Sequence, residues 1–475
     1  MNFLLIKWIK QQLPSFRRGR KRRQIYHLLM KCPHDGSVSL MRVILTPQRF
    51  NGYCMRLFYK YFGGENMAPF HAAVARTIMT QLGILAFSTV MSVLISRTLG
   101  VDNRGIMSWM FAYSGFGSIF VALGMGQAIK KYIVIMPHHT SAFILVDVIL
   151  LIISLLLFLP ALYYYGLSAP IARQNSGLFL LALLFIPYLA FSGILNEILI
   201  GLQKNLHFNL LLLTEKITQL ILNLALLAFG WVTPTAVVAC YMIAVLCRVI
   251  AGIGFIRPYI RGLPSRRELW DAFLVMRKLI FSSYFSNLAM CYCGSLLTIV
   301  MGMTTTSTEL GYFSIAKFVT DQALMLPGTL ATFTLPQLAK EQTAEGRKKT
   351  KQHIIMLTLV MLLALALPMF IFPAFIIHLL FGQAFMPAAP CLHILAIGMI
   401  ASGIIGVANS IIASQHQERL LMLNSGALAL CITLFALLFS HDLNAVTASY
   451  IHSGAYVIGM IVALAIIIRT SKQRE

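Results

Sequence analysis

The sequence predicts an all-α, polytopic integral membrane protein of about twelve transmembrane helices. Hydrophobic residues make up 58% of the 475-residue chain and charged residues only 11%, whereas about 25% of residues are charged in ordinary soluble domains. Apolar runs of 18 or more residues recur along the chain, and each is long enough to cross a bilayer. The basic residues fall between these runs, in loops that alternate between rich and poor in positive charge.

The apolar runs divide the chain into two sets of six predicted spans. In chain order the spans are 77–96, 106–128, 141–163, 178–200, 207–229, 235–256, 279–302, 311–335, 353–380, 388–413, 420–440 and 445–468. They define a basic N-terminal tail (1–70), a first six-helix lobe (71–256), a basic linker (257–278), a second six-helix lobe (279–468) and a short C-terminal tail (469–475).

The loop charges predict the orientation of the chain in the membrane. Basic residues crowd into the loops of one side, most densely at 257–278 and 340–351, whereas the other side carries only Arg97, Arg104 and Arg173. Positively charged loops stay in the cytoplasm, so both termini are predicted to be cytoplasmic. Residues 1–70, with 13 Lys and Arg and no apolar run long enough to span, are expected to form a poorly ordered tail.

The net charge of +23 does not indicate a nucleic-acid partner. Basic residues between apolar runs are explained by anionic lipid headgroups and by the rules of membrane orientation. The eight cysteines form no CxxC pair and no zinc spacing. We therefore expect no disulfide, metal or cofactor.

The chain also carries a weak internal repeat. Residues 194–203 in span 4 resemble 407–416 in span 10, and Gly105 opens span 2 as Gly311 opens span 8. Both pairings relate helices six apart, so the two halves enter the membrane in the same direction. Such halves are related by a pseudo-two-fold axis along the membrane normal, with the substrate path between them.

Several short motifs identify a family. Arg97-Thr98-Leu99-Gly100 precedes span 2, Leu380-Phe381-Gly382-Gln383-Ala384-Phe385 precedes span 10, and Gly201-Leu202-Gln203-Lys204 follows span 4. Over residues 72–470 the chain resembles the polysaccharide-type flippases of the multidrug/oligosaccharidyl-lipid/polysaccharide export superfamily. One departure is Ile106, where the family commonly has an aromatic residue; the second repeat keeps it as Tyr312.

This resemblance implies a function and a shape. Members of the family move an undecaprenyl-diphosphate-linked oligosaccharide, such as an O-antigen or exopolysaccharide repeat unit, across the bacterial inner membrane. The resemblance implies a V-shaped bundle of two six-helix lobes with a cavity lined by spans 1, 2, 7 and 8. The implied partners are the lipid-linked oligosaccharide, membrane lipids and the polysaccharide polymerase machinery.

Lys317 and Asp321 in span 8 are the leading candidates for a substrate site. A charge at membrane depth costs about 2.5–3.5 kcal/mol on insertion scales, so such residues usually face protein or water. Four residues apart, the two side chains are neighbours on one helix face. They form either an internal ion pair or a cavity face on which Lys317 attracts the pyrophosphate.

Other polar residues complete the predicted site and its scaffold. Arg76, Gln81, Ser283 and Asn287 are predicted to line the wet cavity, although polar residues also bond across helices.

Four residues are predicted to be structural charges: Glu215, Lys216, Arg248 and Asp147. Glu215 and Lys216 point about 100° apart, so we expect each to pair with another helix rather than with its neighbour. We expect Arg248 to reach the headgroups and Asp147 to pair with one of these cations.

Four other classes of protein compete with this interpretation. A major-facilitator carrier lacks support because the loop after span 2 reads GQAIKKYIVIMPHH, without the expected signature. An enzyme that transfers or polymerises glycans needs carboxylates on a sizeable outer loop, and 164–177 has none. A purely structural membrane protein leaves the buried charges unexplained. A multidrug or cation antiporter of the same superfamily is the main alternative, although spans 1 and 2 carry no acidic residue.

Overall fold

The protein is helical throughout the part that the structure describes. The computed structural model describes the backbone of residues 68–260, 262–340, 344–414 and 418–472. Within these ranges every regular element is a helix, which confirms the predicted fold class. Thr77–Glu475 form one compact unit, and nearly all of the predicted N-terminal tail lies outside the described residues.

The first half of the chain forms helices α1 to α7. Helix α1 contains two predicted spans, which join at Gly100. The N-terminus of α7 is capped by Thr233, whose hydroxyl accepts a hydrogen bond from the Ala236 N–H. The bounds are α1 Ala68–Ala122, α2 Met125–Ile135, α3 Thr140–Gly166, α4 Pro170–Gln174, α5 Ser176–Gly201, α6 Asn205–Phe229 and α7 Pro234–Ile256.

The second half forms helices α8 to α14. The longest of them, α8, begins with a capping box in which Ser265 and Glu268 bind each other's backbone N–H groups. The bounds are α8 Arg266–Thr304, α9 Ser307–Lys340, α10 Ala344–Ile371, α11 Pro373–Phe381, α12 Ala389–Ser414, α13 Glu418–Leu438 and α14 Ala445–Lys472.

The helices have the length and composition of membrane spans. In the described part of the chain, nine are long and apolar enough to cross a bilayer, and one of these, Gly83–Ala122, covers most of predicted spans 1 and 2. Helix α13 adds a shorter apolar stretch, Leu423–Leu438. Large apolar side chains such as Leu156 are exposed on the outer faces, as expected where lipid replaces water as the solvent. The chain is therefore a multi-pass membrane protein.

Helices of the same half pack mainly on one another. In the first half, α5 packs against α2 and α7, and α6 packs against α7. In the second half, α12 packs against α9, α10 and α14. Helix α8 contacts both halves, because it packs against α13 on one side and against α2, α3 and α4 on the other. It therefore lies at the boundary between the halves.

Span 2, predicted as continuous over 106–128, is broken in its last third. The helix stops at Ala122, and Leu123 and Gly124 have φ values of 50° and 72°. A Cβ atom at Gly124 would lie 2.5 Å from the Tyr284 nitrogen and 2.7 Å from the Ile280 oxygen of α8. The left-handed backbone and the close passage of α8 both require glycine at this position.

Two further predicted spans have different bounds in the structure. Span 9, predicted over 353–380, ends at Ile371 and restarts at Pro373, because the proline ring disfavours a helical conformation at Phe372. Span 7, predicted from 279, begins at Arg266 because the capping box stabilises an earlier start. Much of the predicted basic linker is therefore helical.

Candidate functional site

The two halves meet most closely at the glycines that open the repeated helices. A Cβ atom added to Gly105 would overlap the carbonyl oxygen of Ser307, and one added to Gly311 would overlap that of Val101. Each glycine thus meets the residue four positions before the other glycine. This reciprocal contact is a local two-fold arrangement, as the repeat predicts.

Hydrogen bonds reinforce the glycine contact. The Asp102 carboxylate accepts hydrogen bonds from Ser307, at 3.3 Å, and from Thr308. We name the region formed by Val101, Asp102, Gly105, Ser307, Thr308 and Gly311 the seal. It lies at the end of the bundle that the loop charges predict to face the periplasm.

Two of the sequence motifs that identified the family are in direct contact beside the seal. The Arg97 guanidinium donates to the carbonyl oxygens of Leu379, at 2.6 Å, and Leu380, at 2.8 Å. These carbonyls belong to the last turn of α11, where the helix itself supplies no donor. The motif at 97–100 therefore holds the motif that begins at Leu380.

Lys317 and Asp321 form an ion pair on one face of α9, with 2.6 Å between the Lys317 Nζ and the Asp321 Oδ2. The two side chains are unequally exposed: 17% for Lys317 and 50% for Asp321. The predicted neighbour relation is therefore correct. Lys317 is mostly covered by protein, whereas the Asp321 carboxylate is only half covered and therefore has room to move.

The surroundings of this pair place it near the boundary between the halves. Phe318, the next residue after Lys317, lies against the guanidinium of Arg104 in the first half, with 5.6 Å between the ring centroid and Cζ. Helix α9 also packs against α14, on which buried His452 and half-buried Tyr456 have ring centroids 4.5 Å apart.

Ser283 and Asn287 both lie on α8 and are half-buried. The Ser283 backbone lies against Gly124, where span 2 is broken. Helix α8 is thus the boundary helix. The other two predicted cavity residues, Arg76 and Gln81, have side chains outside the described part of the structure.

Aromatic rings bridge the two halves along α8, and the sequence interpretation missed them. Phe120 of α1 faces Tyr284 with 6.3 Å between ring centroids, and Phe116 faces Tyr292 at 6.5 Å. Phe116 and Phe120 are four residues apart and Tyr284 and Tyr292 are eight apart, so each pair lies on one helix face, and this spacing is the signal that was available in the sequence. Ligand pockets are commonly lined by aromatic residues with a few polar groups, so this row belongs to the candidate site.

The prediction that Glu215 and Lys216 cannot pair is wrong. The Lys216 Nζ lies 2.9 Å from the Glu215 Oε1, and the other carboxylate oxygen binds Arg248 of α7. Long side chains fold back along the helix, so the 100° between neighbouring Cβ atoms does not separate their charged ends. Glu215 does pair with another helix as predicted, whereas Lys216 does not.

The predictions for Arg248 and Asp147 are also wrong. Arg248 is buried against Glu215 instead of extending to the headgroups. Asp147 is fully buried, and neither of its oxygens has a hydrogen-bond partner among the described residues. It cannot reach the predicted cations because α3 packs on α2, α5 and α8, whereas Lys216 and Arg248 belong to α6 and α7.

Solved structures of transporters share this fold. An inward-facing multidrug resistance MATE family transporter of the MOP superfamily aligns with a TM-score of 0.61 and 14% identity, covering 83% of this chain and 99% of that one. The lipid II flippase MurJ, in an inward closed conformation, aligns with a TM-score of 0.63 and 14% identity, covering 82% and 87%. An outward-facing MATE transporter gives 0.60 and 15%, covering 85% and 95%. At these identities the likeness establishes the fold alone.

Comparison with protein families gives a more specific result. No curated protein matches the chain. A family model described as polysaccharide biosynthesis protein matches residues 72–326, which is more than half of the chain. The matched region contains the seal, the broken span 2, α8 and the Lys317–Asp321 pair. The sequence-based identification of the family is thereby confirmed, and the chain belongs to the polysaccharide biosynthesis protein family.

Proposed function

We propose that this protein is a flippase that moves an undecaprenyl-diphosphate-linked oligosaccharide, an O-antigen or exopolysaccharide repeat unit, across the bacterial inner membrane by alternating access. The observation that carries the proposal is the Lys317–Asp321 pair at the boundary between the halves, in which the Asp321 carboxylate is half exposed. Family membership supports a role in polysaccharide biosynthesis. We propose a transporter without enzymatic activity.

In this proposal Lys317 binds the diphosphate of the substrate. An ammonium group is a compact point charge that suits phosphate, and its protein partner here is a carboxylate on the same helix. Asp321 neutralises the cation while the site is empty and is displaced toward solvent when the diphosphate arrives. The 50% exposure of Asp321 supports this exchange, since the carboxylate has room to move.

The glycan part of the substrate would lie along α8. Ser283 and Asn287 offer hydroxyl and amide groups, which suit the hydroxyls of a sugar. The rings of Phe116, Tyr284 and Tyr292 offer flat apolar faces beside them. Arg76 and Gln81 are proposed to belong to the entry of the same cavity.

The seal supports alternating access. Its closest contacts are between backbones at Gly105 and Gly311, with few side chains interlocked. The Asp102 carboxylate adds hydrogen bonds that water can replace once the region is wetted. A boundary of this kind can separate and close again without rearranging either half.

The acidic residues of the first half favour a flippase over a cation antiporter. An antiporter needs a carboxylate that is free to bind its cation, yet Glu215 is occupied by Lys216 and Arg248. Glu197 is paired with Lys130, at 2.8 Å, and Asp147 is fully buried. None of these three carboxylates is both exposed and unpaired.

Deletion of the gene tests the proposed function. The lipid-linked oligosaccharide should accumulate on the cytoplasmic side, and mass spectrometry of extracted lipids should detect it at an elevated level. A complementing copy of the gene should return it to normal. An unchanged lipid-linked pool together with increased sensitivity to drugs would instead support the antiporter.

The proposed orientation places both termini and the linker 257–278 in the cytoplasm, with residues 71–256 and 279–468 as the two moving lobes. It rests on the crowding of basic residues at one side of the bundle. Alkaline phosphatase fused after Glu475 should be inactive, and the same reporter inserted in the loop 164–177 should be active. The reverse pattern would invert the orientation, and with it the direction in which the seal opens.

A further inference from the structure

Arg104 is a buried cation without an anionic partner among the described residues. Its exposed fraction is 8%, and its Nε has no hydrogen-bond partner in the described part of the chain. None of the four ion pairs of the described residues includes it. The guanidinium lies over the face of the Phe318 ring, with 5.6 Å between its Cζ and the ring centroid. A buried charge without a counterion is unfavourable, so this arrangement requires an explanation.

The position of Arg104 ties it to the closing of the seal. It directly precedes Gly105, whose backbone touches Ser307 in the second half. Its guanidinium extends across the boundary to Phe318, which follows Lys317 in the chain. When the seal opens, the Phe318 ring must move away from Arg104. The guanidinium then faces the space between the halves.

The repeat shows that packing does not require this charge. The same offset that relates Gly105 to Gly311 relates Arg104 to Leu310, since both differ by 206 positions. Leu310 is fully buried at the corresponding place in the second half. An apolar side chain therefore suffices to close this kind of contact. The cation at position 104 is an addition that the fold does not need.

We propose that Arg104 is a second anion-binding position, which receives the substrate's diphosphate from Lys317 when the seal opens. This inference rests on the proposed function and adds to it a site that exists in only one state of the protein. A guanidinium binds phosphate oxygens through two parallel N–H donors. In the sealed state the Phe318 ring covers it, so the diphosphate meets Lys317 first and Arg104 second.

Flipping in proteoliposomes tests this order of binding. The probe is undecaprenyl diphosphate carrying a fluorescent sugar, and the rate is followed as a membrane-impermeant reductant quenches the outer leaflet. Arg104→Leu copies the residue of the other repeat and should lower the rate about tenfold or more, because hydrogen bonds to a charged group are lost. Arg104→Lys keeps the charge and should lower the rate less than Arg104→Leu does. Phe318→Leu should lower the rate at most about fivefold, which corresponds to the loss of one cation–π contact.

The outcomes distinguish a role of Arg104 in binding the diphosphate from a role only in holding the seal closed. If Arg104 only holds the seal shut, Phe318→Leu removes the same contact and should slow flipping as much as Arg104→Leu, which would overturn the proposal. Full activity of Arg104→Leu would overturn it as well. If Arg104→Leu does not fold, Arg104→Met keeps the length of the side chain and carries the same expectation. Failure of the wild-type protein to move the probe would overturn the proposed function itself.

Discussion

The first and second halves of the chain each contain a charged cluster at membrane depth, and the two differ in how they are covered. In the first half, Glu215 lies between Lys216 and Arg248 and joins α6 to α7. In the second half, Lys317 and Asp321 lie on the single helix α9, and Asp321 is half exposed. In the first cluster, both carboxylate oxygens of Glu215 are paired with cations, and the pairs hold two helices together. The second leaves one side open to a ligand.

This difference shows that a charge inside a membrane protein identifies a site only when its surroundings are incomplete. Both clusters look alike in the sequence, as charged residues inside apolar runs. The two clusters differ in how many charged partners each residue has and in which helices supply these partners. Both properties depend on how the helices pack together. The predictions below test whether the first cluster acts on stability and the second on transport.

The largest expected effect on stability is at Glu215. Glu215→Gln keeps the shape of the side chain but leaves Lys216 and Arg248 without a counterion, and breaking a buried pair costs about 3–5 kcal/mol. The free energy of unfolding in detergent should fall by about that amount, while transport per folded molecule stays near normal. Glu197→Gln is the matched control: its pair with Lys130 is more exposed, so the loss should stay near 1 kcal/mol or below. If Glu215→Gln and Glu197→Gln lower the free energy of unfolding equally, the burial of the Glu215 cluster contributes nothing special to stability.

The sequence predicted the fold class and the order of the helices because long apolar runs are a strong and local signal. It also predicted that Lys317 and Asp321 are neighbours, which depends only on helix periodicity. The capping box at Ser265 was readable as S-x-x-E but was not used. The partners of Arg248 and the isolation of Asp147 depend on which helices pack together, so no local pattern reveals them. The importance of Arg104 likewise follows from its contact with the other half.

A smaller effect is expected at the seal. Gly105→Ala places a methyl group against the Ser307 carbonyl, which should favour the state in which the seal is open. Opening the seal would change the surroundings of Lys317 and Asp321 but not those of Glu215. The substitution therefore separates the two charged clusters by their response to the opening. In the Gly105→Ala protein, a cysteine introduced by Thr308→Cys should react with a membrane-impermeant maleimide in cells several-fold faster than the same cysteine in the protein that retains Gly105.

Gly115→Ala is the control for the seal, because nothing lies within 4 Å of a Cβ atom at that position. It should leave the labelling rate unchanged. If both alanine variants label at the wild-type rate, the close approach at Gly105 does not hold the halves together.

The smallest expected effect on stability is at Lys317. Lys317→Ala leaves behind the carboxylate of Asp321, which is half exposed and can be hydrated, so the cost should be close to that of an exposed pair, about 0–1 kcal/mol. The free energy of unfolding should therefore change little, although transport is expected to be lost. A loss of stability comparable to that of Glu215→Gln would make the pair a structural element, like the cluster in the first half.

Exchange of the two residues tests the central claim most directly. Lys317→Asp combined with Asp321→Lys keeps the attraction between the charges but moves the cation one turn along α9, about 6 Å. If Lys317 binds the diphosphate, the exchanged protein should be stable and inactive, because the substrate would meet a carboxylate where it needs a cation. Transport restored by the exchange, after its loss in each single variant, would show that the pair is internal scaffolding and would contradict the proposed site.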